Sequence, residues 1–187
     1  MGVHGFPGCP GSGKTTEARK RMEARGRRRR FAVDTSGSPA LADLPLVPSI
    51  EALVEAVWAD GSFVRWRPDA LARREQFERL MRIVYNVGGV DVLVDDAYLY
   101  ANARYVSPYL LACCTEWRAK DLGIYITLQR FAWLHQDIMG CLTELKAYRA
   151  TSKRDRDRLF EEFDMDPEKL RRLERGQSED CTLGFPE

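Results

Sequence analysis

Short apolar runs alternate with stretches of helical periodicity along the whole chain, the pattern of a parallel sheet with crossover helices. The apolar runs fall at residues 3–6, 30–34, 62–66, 90–95, 123–129 and 142–150, and each reads as a strand, the 142–150 run being the last. The helices are expected between them. One follows at 16–25. Ser49 is placed to cap another that runs to about residue 59, with Ile50, Leu53, Val54 and Val57 on one face. A long helix over 69–86 carries Leu71, Phe77, Leu80, Met81, Val84 and Tyr85 at helical spacing and ends at Gly88-Gly89. Ser107-Pro108 opens a helix to about residue 120, since proline suits a first turn. A short helix covers about 132–139. Residues 152–175 are charged and helical, with Leu159, Phe160, Phe163, Leu170 and Leu173 as apolar positions and Pro167 starting a second helix. With no internal repeat or low-complexity linker, the reading is one α/β unit over 1–187. Residues 1–150 form its core, and 151–187 form a helical extension and tail.

Composition narrows the class. A chain of 187 residues with 44% hydrophobic and 30% charged residues has the make-up of a soluble globular protein and the length to bury one core. No run of 18 apolar residues exists to span a membrane. The amino-terminal residues lack the basic-then-apolar order of a secretory signal, and Phe6 stands where myristoylation would want Ser or Thr. Five cysteines without metal-ligand spacing read as reduced thiols. Net charge is +1, so no global field draws nucleic acid. The basic residues are nevertheless mostly arginine, and five of them crowd into residues 25–30. That preference suits bidentate phosphate contacts, and it is equally what a GC-rich genome produces.

The chemistry begins right after the first apolar run. Gly8, Cys9, Pro10, Gly11, Ser12, Gly13, Lys14 and Thr15 match the phosphate-loop pattern G-x-x-x-x-G-K-[ST]. The glycines let the backbone curl until successive amides converge on an anion. Lys14 is expected to reach the β- and γ-phosphate oxygens of ATP, and Thr15 to ligate Mg²⁺. Thr16 opens a helix whose positive end lies under the same phosphates.

A second constellation is Val90-Asp91-Val92-Leu93-Val94-Asp95-Asp96, which has the form of a Walker B strand. Its apolar residues deliver two carboxylates to the carboxyl edge of the sheet, where ligands of open α/β sheets bind. Asp95 is assigned to Mg²⁺ opposite Thr15, and Asp96 to the water that attacks the γ-phosphate. Aspartate at 96 is one methylene shorter than the glutamate usual there. The third element is the strand that ends Thr127-Leu128-Gln129-Arg130. If it lies between the first strand and the Asp95 strand, Gln129 stands beside the γ-phosphate, where it can sense that group and orient the water.

Taken in order, these motifs resemble the FtsK/HerA superfamily. They are the phosphate loop, Val33-Asp34, the Asp-Asp strand, a helix bearing Arg118, and the Thr-Leu-Gln-Arg strand. The chain is most similar to the small genome-packaging ATPases of tailless, membrane-containing double-stranded DNA viruses, with the zonula occludens toxin-like ATPases of filamentous phages as relatives. The resemblance spans residues 3–149. It implies a RecA-like P-loop NTPase of the additional-strand class, with a mainly parallel sheet flanked by helices. It also implies a homo-oligomeric ring, usually hexameric, that couples ATP hydrolysis to pulling double-stranded DNA without sequence specificity. A capsid or portal-vertex protein is the further partner, and the place of action is the host cytoplasm or the virion. An arginine finger given to the neighbour's ATP is implied as well; Arg118 matches its position, with Arg104 and Arg130 as competitors. Residues 25–30 or 153–158 are candidates to grip DNA phosphates.

Two other classes stay open on the sequence. A nucleotide or other small-molecule kinase shares Pro-Gly-Ser-Gly-Lys-Thr, though such enzymes also need an acceptor site and a lid. An ATP-dependent switch or scaffold with little hydrolysis is kept open by Asp96.

Overall fold

The computed structural model describes residues 1–27, 29–59 and 61–182. Eight strands form one sheet, β10-β9-β1-β8-β5-β2-β4-β3. Its centre is β1 (Gly2–Pro7), β8 (Gly123–Leu128), β5 (Asp91–Val94) and β2 (Arg30–Val33), paired in parallel. Beyond β2 lie β4 (Val64–Trp66) and the two-residue β3 (Leu46–Val47). On the other side of β1 lies β9 (Glu144–Tyr148), also parallel, and then β10 (Ser178–Thr182), which runs antiparallel along it.

The central strands are buried on both faces, and side-chain alternation divides the core in two. Phe6, Ala32, Leu93 and Tyr125 pack under α1 (Lys14–Ala24) through Ala18 and Met22. Phe31, Val33, Val92, Val94, Ile124 and Ile126 belong to the larger core on the opposite face. That core is covered by α2 (Ile50–Val54), α3 (Arg73–Val87), α4 (Pro108–Thr115), α5 (Gln136–Gly140), α6 (Lys153–Phe163) and α7 (Pro167–Arg172). Strand–helix alternation with near-continuous apolar strands is what produces this doubly covered parallel sheet. A small hairpin, β6 (Ala101–Asn102) and β7 (Tyr105–Val106), follows the Asp95-Asp96 turn.

Several expected elements shift for local reasons. Ser49 does cap α2, accepting from the Ala52 amide, but the helix widens to a π turn over Glu55–Ala59. The long helix starts at Arg73 rather than residue 69. Asp69 first closes a turn by accepting from the Leu71 and Ala72 amides, while Gln76 accepts from the Asp69 amide. Leu71 therefore leaves the expected apolar face and is 99% exposed. The helix opened by Ser107-Pro108 ends at Thr115, and residues 116–121 form turns that reach Asp121 at positive φ. In the carboxyl-terminal extension Leu159, Leu170 and Leu173 are buried as expected, but Phe160 is exposed. The 142–150 run is not the last strand, because β10 adds an edge where a tail was expected. Residues 183–187 lie outside the described residues.

Candidate functional site

The phosphate loop leaves β1 in register with its neighbours. The Gly8 amide donates to the Leu128 carbonyl at 3.0 Å and the Cys9 amide to the Arg149 carbonyl at 2.9 Å. Gly8 is needed for room, because a Cβ there would come 2.6 Å from the Tyr148 Cβ. Gly13, at φ 98°, is the residue before α1 and offers no side-chain cap, so the first amides of the helix face the loop. Lys14 folds back inside, its Nζ donating to the Cys9 carbonyl at 2.8 Å. Burial lowers its pKa, opposed in part by the charges of Asp95 and Asp96. The Gly176 amide, from the turn before β10, donates to the Ser12 carbonyl and ties the carboxyl-terminal segment to the loop.

The second half of the site follows from strand order. β8 lies between β1 and β5, with Val94 opposite Ile126 and Pro7 opposite Leu128. The residues just past these strand ends therefore converge. Thr15 Oγ1 donates to Asp95 Oδ1 at 2.8 Å, and Thr127 Oγ1 donates to the same oxygen at 3.0 Å. Ser36 Oγ donates to Asp95 Oδ2 at 2.7 Å. The Asp96 amide donates to Thr127 Oγ1 at 3.0 Å, and Gln129 Nε2 donates to Asp96 Oδ2 at 3.1 Å.

Asp96 occupies the left-handed region, φ 58° and ψ 53°, which turns its carboxylate back over the sheet edge. Its Oδ1 is buried with no partner among the described residues. Burial first, then the charge of Asp95, raises its pKa above the usual carboxylate range, against the pull of Lys14. A cleft of about 240 Å³ opens between the loop and these acids, lined by Lys14, Thr15, Ser36, Asp95, Asp96 and Gln129 among others.

Lys14, Thr15, Asp95, Asp96 and Gln129 thus stand at one rim with Gly8 to Gly13. Thr16 is exposed on the first turn of α1. The arginines separate. Arg118 sits in the turn before β8, at the opposite edge of the sheet, with its guanidinium 4.9 Å from the Trp117 ring centroid. Arg104 is exposed at the tip of the β6–β7 hairpin. Arg130 follows Gln129 directly and lies 3.5 Å from Asp155 and 5.8 Å from the Trp133 ring.

The basic cluster at 25–30 is at the same far edge and is partly committed within the fold. Arg25 and Arg27 reach the buried Asp91, Arg27 also pairs with Asp121, and Arg30 lies over the Phe63 ring. Arg28 lies outside the described residues. In the 153–158 region Arg156 donates to the Ala150 and Thr151 carbonyls, whereas Lys153 and Arg154 are exposed.

Sequence reasoning missed Ser36 and Thr127. The signal for Thr127 was its alternation with Ile126 and Leu128, which aims it at the α1 face. Ser36 had no signal of its own: it lies in the loop after β2, the strand that pairs with β5 and ends at Val33.

The donors present fit Mg²⁺. Thr15 and Asp95 bring two hard oxygens together, and hydroxyl groups back the carboxylate. Among the described residues no group of three His, Cys, Asp or Glu is arranged to hold a metal, so such an ion would share its ligands with phosphate oxygens. No helix among the described residues is long and apolar enough to cross a membrane.

No family model matches the chain, and no curated protein is found similar to it in sequence. Solved structures are similar. The genome packaging NTPase B204 from Sulfolobus turreted icosahedral virus 2, in complex with ATP-gammaS, superposes with a TM-score of 0.75 at 14% identity, covering 98% of each chain. B204, the DNA-packaging ATPase from Sulfolobus turreted icosahedral virus, gives 0.72 at 14% identity with the same coverage. ATPases 2 and 3 of EssC from Geobacillus thermodenitrificans give 0.62 at 14% identity, over 97% of this chain and 37% of that one. At such identities the likeness shows the fold. That fold is the RecA-like α/β fold of P-loop NTPases, and it meets the resemblance read from the motifs.

Proposed function

We propose that the chain is an ATP-hydrolysing motor that moves double-stranded DNA, acting as a ring of copies in the packaging of a viral genome. The observation that carries the reading is the place of β8 between β1 and β5, which puts Gln129 on Asp96 across from Lys14 and Thr15. A kinase needs no such amide–carboxylate pair, whereas a hydrolase needs two groups to seize a water.

In this reading the amides of residues 11–16 wrap the triphosphate, and Lys14 exchanges the Cys9 carbonyl for phosphate oxygens. Thr15 and Asp95 are the residues that would hold Mg²⁺, which when bound offsets charge on the β- and γ-phosphates. Asp96 accepts a proton from the attacking water through its carboxylate, and Gln129 orients that water. Arg118 stands too far round the sheet to serve its own site; in this reading it is given to a neighbour's ATP, where an arginine finger is worth about 10³–10⁵ in rate in related chemistry. DNA is held by phosphate contacts without sequence preference; Arg29, Lys153 and Arg154 are exposed candidates. A capsid or portal-vertex protein is the partner that a packaging role implies, in the host cytoplasm or the virion. The fold similarity to B204 supports the reading.

Native mass measurement with a non-hydrolysable ATP analogue, with and without duplex DNA, tests it. A closed ring is expected, and a stable monomer under both conditions contradicts it. The burial of Asp96 favours one other reading, a nucleotide switch with little turnover. Turnover that disappears in Asp96→Asn decides against the switch.

A further inference from the structure

Asp95 is 4% exposed and is gripped by three hydroxyls. Two of them, Thr15 and Thr127, share Oδ1. Ser36 is the one side-chain donor to Oδ2 among the described residues, at 2.7 Å. If Thr15 turns toward a bound nucleotide, Thr127 and Ser36 are left to fix the carboxylate, one on each oxygen.

Ser36 comes from a loop with little regular structure, yet the loop is pinned on both sides of it. Asp34, fully buried, accepts from Arg65 Nη1 at 2.7 Å and Arg67 Nη2 at 2.8 Å on one oxygen, and from the Ser38 amide at 2.8 Å on the other. Burial alone would raise the Asp34 pKa. The hydrogen bonds from Arg67, the Ser38 amide and Arg65 outweigh it and hold the group charged below its ordinary range. Gly37, at φ 76°, packs against the Arg67 guanidinium, which a Cβ would approach to 3.0 Å. On the other side, Thr35 Oγ1 lies 3.3 Å from Tyr100 Oη.

We propose that Ser36 is a positioning residue for Asp95, fixing the plane of its carboxylate for the nucleotide-bound cation, and that the Asp34–Arg67 pair sets Ser36 in place. The inference rests on the nucleotide reading above. The side chain of Ser36 is well suited to a test. Ser36 is an exposed residue, so losing its hydroxyl opens no core cavity, and the partner it leaves unpaired is Oδ2 of Asp95. Whatever Ser36→Ala changes, it changes through Asp95.

The experiment uses the full chain, with ATP turnover and binding of a fluorescent ATP analogue followed over a Mg²⁺ titration. Ser36→Ala is expected to lower kcat on the order of 10–100-fold, the range for partners of metal-ligating groups. KM for ATP should barely move, and the Mg²⁺ midpoint of analogue binding should rise. Ser36→Thr, which keeps the hydroxyl, should recover most of the loss. Arg67→Ala should reproduce the Ser36→Ala phenotype, and the double variant should be no worse than either alone. Wild-type turnover and an unmoved Mg²⁺ midpoint in Ser36→Ala would overturn the inference alone, as would a Ser36→Thr variant as impaired as Ser36→Ala. A wild-type chain that neither binds nor hydrolyses ATP would overturn the nucleotide reading, and this inference with it.

Discussion

Gln129 donates from Nε2 to Oδ2 of Asp96 at 3.1 Å, joining the ends of two strands that are adjacent in the sheet though 33 residues apart in the chain. Each residue is thereby aimed by the other. An amide held on a carboxylate keeps its own oxygen for a water, while Asp96 Oδ1 is buried without a partner among the described residues. Asp96→Asn is expected to cut ATP turnover on the order of 10²–10⁴-fold, the usual worth of a general base. Gln129→Ala should cost less, and the pair together no more than Asp96→Asn alone. Steady-state phosphate release checks this, with ATP-analogue binding as the control that should stay intact.

The same carboxylate should weaken the fold. Its pKa is raised by burial and by Asp95, so keeping it ionised costs folding free energy above its folded pKa. Below the unfolded value of about 4, both states are protonated and the cost is gone. Asp96→Asn removes the charge and keeps an acceptor for Gln129. Its Tm should exceed the wild-type value at pH 8, with the gap closing as pH falls through the raised folded pKa and gone below about 4. Thermal melts at a series of pH values read this directly.

Lys14→Ala and Gly8→Ala should both lose ATP binding, for different reasons. Lys14 loses a cation that the loop holds in place, and the fold should melt normally or slightly higher, since a buried ammonium is removed. Gly8→Ala drives a Cβ to 2.6 Å from that of Tyr148 and should lose about 1–3 kcal/mol of stability as overpacking does. Melting curves beside binding isotherms separate the two.

Arg118 stands at the edge of the sheet opposite the cleft, so any catalytic effect must be exerted on a neighbour. Arg118→Ala should bind ATP yet fail to turn it over in the ring. A mixture of Arg118→Ala with Lys14→Ala chains should regain activity, because a site with an intact Lys14 then meets a neighbour with an intact Arg118. Activity of Arg118→Ala equal to wild type would assign the finger elsewhere, with Arg104 and Arg130 next to be tested.

The centre of the sheet was legible because its strands are apolar on both faces and its acids and glycines lie at strand ends, where the 8–15 and 90–96 patterns have a single geometric sense. The place of Gln129 could be stated only as a condition, since strand order is a long-range property; pairing of β8 with both β1 and β5 supplies it. Leu71 was misread because periodicity cannot see the turn that Asp69 and Gln76 build before α3. β10 was missed because an edge strand with one exposed side, Ser-Glu-Asp-Cys-Thr, carries little apolar signal. Ser36 lay in a loop with no motif, and only the folding of that loop around buried Asp34 brings its hydroxyl to Asp95.

Steady-state ATP hydrolysis by the wild-type chain, with and without double-stranded DNA of unrelated sequences, decides the proposal that this chain couples ATP to moving duplex DNA. Turnover that rises with duplex of any sequence, falls with added salt, and vanishes in Lys14→Ala is the expected result. Turnover indifferent to DNA, or transfer of the γ-phosphate to a small-molecule acceptor in place of water, would contradict it.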